Sequence, residues 1–150
     1  MPQPAKESKV PVISRTGQDL TPLSGVQIKE LTQKLTPEEW HVLLDQGTEP
    51  QFSGSVLNSG TGVYVCRLCG LPLFNSSAKF ESHTGWPSFY EPVDPDHVRL
   101  RRDKSYGMIR TEVRCRRCGS HLGHVFDDGP APTGKRFCMN SVALELKEKS

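Results

Sequence analysis

Long hydrophobic runs are missing from this sequence, and no stretch approaches the roughly 18 apolar residues that a membrane-spanning helix requires. The first twenty residues contain no apolar segment of the kind found in secretory signals. An excess of one charge sign is also missing, because 19 Lys and Arg residues are balanced by 17 Asp and Glu residues, for a net charge of +2. We therefore expect a cytoplasmic protein that binds neither membranes nor nucleic acid.

Apolar and aromatic residues are scarce. Hydrophobic residues make up 35% and aromatic residues 7% of the 150 positions, so a single domain with a small core is expected. A bound metal ion would help to stabilise such a domain. The 13 Gly and 12 Pro residues favour turns and short strands over a helix bundle.

The chain divides into a polar tail and one folded domain. Residues 1–20 show no periodicity and are expected to be mobile, whereas residues 21–150 form the domain, for which we expect a monomer. From Glu49 onward, short apolar runs alternate with turns, which predicts a mostly antiparallel β domain with a helical N-terminal overlay. The predicted strand segments include residues 63–65, 71–73, 98–100, 125–126 and 142–144.

Two helices are predicted before the strands begin. The first covers residues 24–35. The second begins at Thr36, which opens a Thr-x-x-Glu capping box and is followed by Pro37 at the first helical position, and it ends at Gly47. The apolar residues that we expect this second helix to bury are Trp40, Leu43 and Leu44.

Four of the five cysteines form two Cys-x-x-Cys pairs, each followed by glycine: Cys66, Cys69, Cys115 and Cys118. Two thiolates three positions apart on a tight turn can bind one ion, and two such pairs complete a closed tetrahedral shell that is typical of structural zinc. We predict one structural Zn²⁺ per chain, joining hairpins that are distant in sequence. The alternative is two redox-active pairs of the thioredoxin type, but no βαβ pattern surrounds either pair.

The fifth cysteine, Cys138, has no such partner. A lone cysteine is more often buried and inert than catalytic. Arg136 lies where its charge can favour a thiolate, and Asn140 alternates onto the same strand face as Cys138. His121 and His124 lie three positions apart beside a glycine and can converge on one point. Taken alone, the two histidines could equally cap turns or form ion pairs at the surface. They could also be extra metal ligands, but four cysteines already satisfy zinc.

Several motifs occur together over residues 35–146. They are Gly-Trp-Pro-Ser-Phe-Tyr at 85–90, the two cysteine pairs, His-Leu-Gly-His-Val-Phe-Asp-Asp-Gly-Pro at 121–130, and Arg-Phe-Cys-Met-Asn-Ser at 136–141. In order and approximate spacing, the chain resembles the type B methionine sulfoxide reductases. The resemblance implies a β-tent of two antiparallel sheets, with short N-terminal helices and zinc at the apex. It also implies thiol-dependent reduction of the R epimer of methionine sulfoxide in peptides and proteins.

The resemblance assigns roles by motif position. Cys138 would be the nucleophile, and the groups around the sulfoxide oxygen would be His121, His124 and Asn140. An aromatic wall for the substrate methyl group would come from Trp86, Phe126 and Phe137, and we count Arg136 with these substrate-binding residues. The chemistry asks for a cysteine with a lowered pKa, a histidine that can transfer a proton, and an aromatic, water-poor slot.

The oxidised enzyme must be reduced again. Many members of the family use a second cysteine just before the Gly-Trp-Pro-Ser-Phe motif, and this chain has Thr84 there. With the other four cysteines assigned to zinc, we predict a one-cysteine cycle in which an external thiol reduces the Cys138 sulfenic acid. Thioredoxin is the expected reductant, with glutathione or glutaredoxin as alternatives.

Three other functions fit parts of the sequence. A zinc-ribbon nucleic-acid binder would use the cysteine pairs and the basic stretch 99–117, although charged outward faces of a strand pair explain that stretch as well. A non-catalytic β-tent module would use Trp86 without needing Cys138. A cysteine hydrolase would pair Cys138 with a histidine, but nothing in the sequence suggests an oxyanion hole.

Overall fold

The computed structural model describes residues 12–44, 47, 61–82, 84–104, 107 and 109–148. Two helices precede the strands, α1 (Gly25–Thr32) and α2 (Pro37–Leu44), and neither is long and apolar enough to cross a membrane. Helix α1 is shorter than predicted. Its start is fixed by a capping box, because Ser24 Oγ accepts from the Gln27 amide and the Gln27 side chain accepts from the Ser24 amide.

The capping box predicted for α2 is confirmed. The Glu39 amide donates to Thr36 Oγ1 at 3.2 Å, and the Thr36 amide donates to Glu39 Oε1 at 3.0 Å. The prediction that this helix buries Trp40 is wrong, because Trp40 is 48% exposed. Leu43 is buried as predicted, and Val42 is buried in place of Trp40, so the helix packs on a face rotated from the one expected.

The strands form two antiparallel sheets, as predicted. The smaller has the order β2-β1-β9 and the larger the order β3-β4-β8-β7-β6-β5. The last strand was predicted to include Val142 and Ala143. These residues instead belong to a 3-10 turn, Ser141–Ala143, and the strand begins at Leu144. The strands are β1 (Gly62–Cys66), β2 (Pro72–Asn75), β3 (Lys79–Phe80), β4 (Ser88–Phe89), β5 (Val98–Asp103), β6 (Arg110–Cys115), β7 (His121–Phe126), β8 (Arg136–Met139) and β9 (Leu144–Glu148).

Aromatic side chains fill the space between the two sheets. Phe74 of the smaller sheet stacks on Phe89 of the larger sheet, with ring centroids 4.5 Å apart. Tyr64 meets Phe89 edge-on at 5.1 Å, and Phe137 lies 5.7 Å from Phe74. Four of the eleven aromatic residues thus meet at this one interface and help to hold the two sheets together.

The register of the larger sheet places five residues in one row. Ser88 pairs with Cys138, Cys138 with His124, His124 with Glu112, and Glu112 with Arg101. Directly paired residues of antiparallel strands project from the same face. The row therefore runs across β4, β8, β7, β6 and β5 on one face of the sheet.

Packing extends further toward the N-terminus than the predicted boundary at residue 21. Ser14 is buried and its Oγ lies 2.8 Å from Nε2 of His97, while the Thr16 amide donates to Asp94 Oδ2 at 2.9 Å. Leu20 is 2% exposed. Polar groups of residues 12–20 thus satisfy a buried histidine and a buried aspartate of the domain, and residues 1–11 lie outside the described part of the chain.

Candidate active site

The two cysteine pairs meet between the sheets. Cys66 is the last residue of β1 in the smaller sheet, and Cys115 is the last residue of β6 in the larger one. After each strand the chain makes a tight turn that ends in a glycine with positive φ, 81° at Gly70 and 78° at Gly119. Each glycine amide donates to the carbonyl of the first cysteine of its pair, at 2.8 and 2.9 Å.

The four sulfur atoms are spaced as a tetrahedral metal site requires. All four lie within 4.8 Å of one another. Cys66 Sγ is 3.6 Å from Cys118 Sγ, and Cys69 Sγ is 3.5 Å from Cys115 Sγ. Four sulfurs at the zinc–sulfur distance of roughly 2.3 Å would be about 3.8 Å apart along each edge of the tetrahedron. The predicted ligands thus come together in a geometry compatible with one metal ion that joins the two sheets.

A separate pocket of about 450 Å³ opens on the face of the larger sheet that carries the cross-strand row. It contains six of the predicted site residues: Trp86, His124, Phe126, Arg136, Cys138 and Asn140. Asn140 is the first residue after β8. Its backbone N–H donates to the Leu122 carbonyl at 2.9 Å, and its side-chain Nδ2 donates to the same carbonyl at 3.2 Å. The remaining lining residues are Thr84, Arg110, Gly123 and Met139.

Two predicted site residues lie elsewhere. Phe137 is buried in the core against Phe74, because successive side chains of a strand point to opposite faces and Cys138 occupies the pocket side. His121 is only 1% exposed and does not line the pocket. Its ring contacts that of His124 edge-on, with centroids 5.4 Å apart, so the two histidines converge as predicted but only His124 reaches the cavity.

Opposing influences act on the Cys138 thiol. Burial raises its pKa, and this effect outweighs the charge of Arg136 and the hydrogen bonding of the Thr84 and Ser88 hydroxyls, which lower it. The predicted effect of Arg136 thus has the correct sign. The expectation of a lowered pKa is wrong, because the half-buried position of the thiol removes the water that would stabilise a thiolate.

Three hydrogen-bonded hydroxyl groups lie on the side of the pocket next to Cys138. Ser88 Oγ donates to Ser82 Oγ at 2.8 Å, and Ser82 Oγ lies 2.8 Å from Thr84 Oγ1. Ser88 is 1% exposed and directly opposite Cys138. These hydroxyls provide polar, uncharged neighbours for the sulfur, and the sequence interpretation overlooked Ser82 and Ser88.

Each histidine is held by a carboxylate that the sequence interpretation missed. His124 Nε2 lies 2.8 Å from Asp103 Oδ2, and His121 Nδ1 lies 2.7 Å from Glu112 Oε2. Burial lowers the pKa of His121, although Glu112 acts in the opposite direction.

The mouth of the pocket is shaped by Arg136. Its guanidinium carbon lies 4.4 Å from the centre of the Phe126 ring, and Nε and Nη2 donate to the two Asp128 oxygens at 2.9 and 3.2 Å. The hydrogen bonds from Arg136 lower the pKa of Asp128. Arg136 thus orients an aromatic wall while its charge acts on Cys138.

Comparison with known proteins identifies the family. The family model described as the SelR domain matches residues 35–148. The peptide methionine sulfoxide reductase MsrB of Methanosarcina barkeri is 60% identical over 120 residues, which cover 79% of this chain and 84% of the relative. The chain belongs to the type B methionine sulfoxide reductases.

Other type B methionine sulfoxide reductases are similar over comparable lengths. The MsrB protein of Caulobacter vibrioides strain NA1000 is 58% identical over 135 residues, 89% of this chain and 85% of the relative. That of Xylella fastidiosa strain M23 is 57% identical over 127 residues, 84% of this chain and 82% of the relative. The family model, which matches residues 35–148, covers both the cysteine cluster and the pocket.

Proposed function

We propose that Cys138 is the nucleophile with which this oxidoreductase reduces the R epimer of methionine sulfoxide in peptides and proteins. The observation that carries the proposal is that Cys138 shares one pocket with the polar groups of His124 and Asn140 and with the rings of Trp86 and Phe126. A thiol, a proton donor and an aromatic slot are what the reaction requires.

The first step transfers oxygen between two sulfur atoms. The Cys138 sulfur attacks the sulfoxide, a bond forms between that sulfur and oxygen, and the bond from oxygen to the substrate sulfur breaks. The substrate sulfur gains two electrons and leaves as a thioether, while Cys138 loses two and becomes a sulfenic acid. The proton of the Cys138 thiol ends on the transferred oxygen, so the step needs no other reactant.

Discrimination between the two epimers follows from opposite walls of the pocket. Asn140, and His124 once its ring has taken up a second proton, donate hydrogen bonds to the sulfoxide oxygen, whereas Trp86 and Phe126 contact the S-methyl group. Inverting the configuration at sulfur would turn the oxygen toward the rings or the methyl group toward the polar residues. Either arrangement leaves a polar group without a partner, which costs about 1–3 kcal/mol.

Regeneration uses an external thiol in this proposal. The chain has five cysteines, four of which form the sulfur cluster, and Thr84 lies beside Cys138 at the position where many members of the family have a second cysteine. One external thiol condenses with the sulfenic acid to give a mixed disulfide and water, and a second releases Cys138 as a thiol. We propose a thioredoxin-type partner and a monomeric enzyme in the cytoplasm.

The ion that we propose for the sulfur cluster is Zn²⁺, held by Cys66, Cys69, Cys115 and Cys118. Four thiolates complete a closed shell, so the ion would stabilise the fold and would not bind substrate. Because β1 and β6 belong to different sheets, its coordination would fix how the sheets meet.

Part of the basic stretch 99–117 holds the fold together. Several of its arginines are engaged within the fold. Arg114 lies 2.9 Å from Glu112, Arg101 lies 3.5 Å from the same carboxylate, and Arg117 donates to the Cys69 carbonyl at 2.8 Å. Cations used in this way are poorly placed to contact phosphates.

The test replaces Cys138 by serine. The wild type should reduce a peptide containing methionine-R-sulfoxide with dithiothreitol, whereas Cys138→Ser should be inactive with unchanged metal content and thermal unfolding. The same peptide with the S epimer serves as the control substrate and should not be reduced. Residual activity of Cys138→Ser above about one part in a thousand would contradict the role of Cys138.

The recycling step needs a separate measurement. After one turnover without reductant, the mass of the chain should increase by one oxygen located at Cys138. If dimedone is added to trap the sulfenic acid, the increase should be one dimedone adduct at the same residue. A loss of two hydrogens that maps to a disulfide of Cys138 would contradict the one-cysteine cycle.

A further inference from the structure

We infer that Asp103 is a positioning residue for the reaction, which fixes the nitrogen through which His124 exchanges a proton with the pocket. The inference rests on the proposed function, because it assigns the proton route of the same site. Asp103 lies in β5, a strand that contains none of the family motifs, and the pairing of β5 with β6 and of β6 with β7 brings it to the site.

The contact between the two side chains is short and sheltered. His124 Nε2 lies 2.8 Å from Asp103 Oδ2, and the two side chains are 11% and 14% exposed. A carboxylate can only accept, so Nε2 carries the hydrogen and donates it. Nδ1 is then the nitrogen left to accept or deliver a proton within the pocket that His124 lines.

Arg110 fixes the position of Asp103. The two residues pair directly between β5 and β6, and Arg110 Nη2 lies 3.6 Å from the same Oδ2 atom. Arg110 also lines the pocket, and its Nε is buried without a hydrogen-bond partner among the described residues. The guanidinium thus joins the carboxylate to the edge of the cavity and restrains its orientation toward His124.

The other carboxylate–histidine pair lacks the features that proton transfer requires. Glu112 is fully buried and contacts two arginines, Arg114 at 2.9 Å and Arg101 at 3.5 Å, so its charge is already compensated. His121 uses Nδ1 rather than Nε2 for its carboxylate, and it does not line the pocket. The pairing of His121 therefore supports the sheet, and proton transfer falls to His124.

The position of His124 suits a transfer that begins at Cys138, its direct neighbour across the strands. The thiol proton moves to Nδ1 of His124, which gives a thiolate and an imidazolium whose positive charge Asp103 stabilises. The thiolate attacks the sulfoxide, and the imidazolium returns the proton to the oxygen as the substrate sulfur–oxygen bond breaks. His124 ends neutral with its hydrogen on Nε2, and no further reactant is consumed.

The experiment uses Asp103→Asn in the full-length, metal-loaded protein. The new amide can donate to Nε2 and so favours the other tautomer of His124, with the hydrogen on Nδ1. The single-turnover rate of methionine formation should fall by about 10²–10⁴-fold, with KM changed by less than about threefold. In ¹⁵N spectra of histidine-labelled protein, the hydrogen of His124 should move from Nε2 in the wild type to Nδ1 in the variant.

Two further variants act as comparisons. Asp103→Glu retains a carboxylate and should keep the hydrogen on Nε2 and recover part of the rate. Glu145→Gln removes the same charge from an exposed ion pair with Lys147 on the smaller sheet, and both its rate and its His124 spectrum should match the wild type.

The inference would be overturned if Asp103→Asn reduced the substrate at the rate of the wild type. It would also be overturned if the spectrum of the wild type showed the His124 hydrogen on Nδ1. The wild-type spectrum decides alone if Asp103→Asn does not fold. Failure of the proposed function is recognised separately, because the wild type would then be inactive or Cys138→Ser would be active. An active wild type, an inactive Cys138→Ser and a fully active Asp103→Asn would contradict only the role of Asp103.

Discussion

His124 on β7 lies directly opposite Cys138 on β8, with both side chains on the pocket face of the larger sheet. The relationship is set by backbone hydrogen bonds on both strands, so it does not depend on a flexible loop. The nucleophile and the proton-transfer partner that we propose are thereby held at neighbouring positions before substrate arrives. Preorganisation of this kind is a substantial part of enzymatic rate enhancement.

The first prediction concerns His124 itself. His124→Gln keeps a hydrogen-bonding side chain but removes the group that transfers a proton, so single-turnover reduction should slow by about 10²–10⁴-fold. Rapid-quench measurement of methionine formation provides the rate. His41→Gln, on the exposed face of α2, is the matched control and should keep the wild-type rate. Equal rates for all three proteins would show that no proton passes through His124.

The second prediction concerns the ionisation of Cys138. Because burial raises the pKa of this thiol, its alkylation by iodoacetamide should keep increasing at pH values where an ordinary cysteine is already fully ionised. Arg136 lowers the pKa, so Arg136→Gln should move the midpoint of the alkylation profile to still higher pH. Lys135→Gln removes the neighbouring cation, which pairs with Asp127, and should leave the midpoint in place. A midpoint that moves equally in both variants would contradict a specific effect of Arg136.

The third prediction concerns the contact between β7 and β8. A Cβ atom at Gly123 would overlap the Cys138 carbonyl oxygen and lie 2.9 Å from the Met139 Cα. Gly123→Ala should therefore displace β8, lower the free energy of unfolding by about 1–3 kcal/mol and reduce activity. Gly25→Ala, where nothing lies within 4 Å, should unfold at the wild-type denaturant concentration or slightly above it. A Gly123→Ala protein with wild-type stability and activity would show that the strands have room to separate.

The fourth prediction concerns the sulfur cluster. Cys69→Ser should lose the bound ion and lower the melting temperature by about 10 °C or more, because the coordination joins the two sheets. Metal analysis and calorimetry measure both effects, and Cys138→Ser should retain the ion. Less than about 0.5 zinc per wild-type chain, with four free thiols in the cluster, would contradict the zinc assignment.

Features governed by a few neighbouring residues were predictable from the sequence. The capping box of Thr36 and Glu39 forms as expected, and each cysteine pair makes the turn that its spacing and glycine indicate. The position of Phe137 was also accessible, because side-chain alternation along β8 sends it to the face opposite Cys138. The motif resemblance instead implied a place for Phe137 in the aromatic wall of the pocket.

Features that depend on register were not predictable. Asp103 and His124 are 21 positions apart in sequence and meet only because β5, β6 and β7 are neighbours in the sheet. His121 contacts Glu112 near an irregularity in the pairing of β6 with β7, between Val113 and Arg114. Hydrophobic periodicity does not reveal an irregularity of this kind. The burial of Val42 in place of Trp40 shows which face of α2 packs inward, and the apolar pattern of a two-turn helix does not determine that face.

The row from Ser88 through Cys138, His124 and Glu112 to Arg101 has a consequence for how this protein can change during evolution. Alternation along a strand has a period of two, so deleting one residue within β8 would turn Cys138 inward and Phe137 outward. A substitution alters the side chain at a single position. A change of one residue in the length of β7 or β8 would move the following side chains of that strand to the opposite face of the sheet. Insertions and deletions in this part of the chain should therefore accumulate in the connection at residues 127–135, while the lengths of the two strands stay fixed.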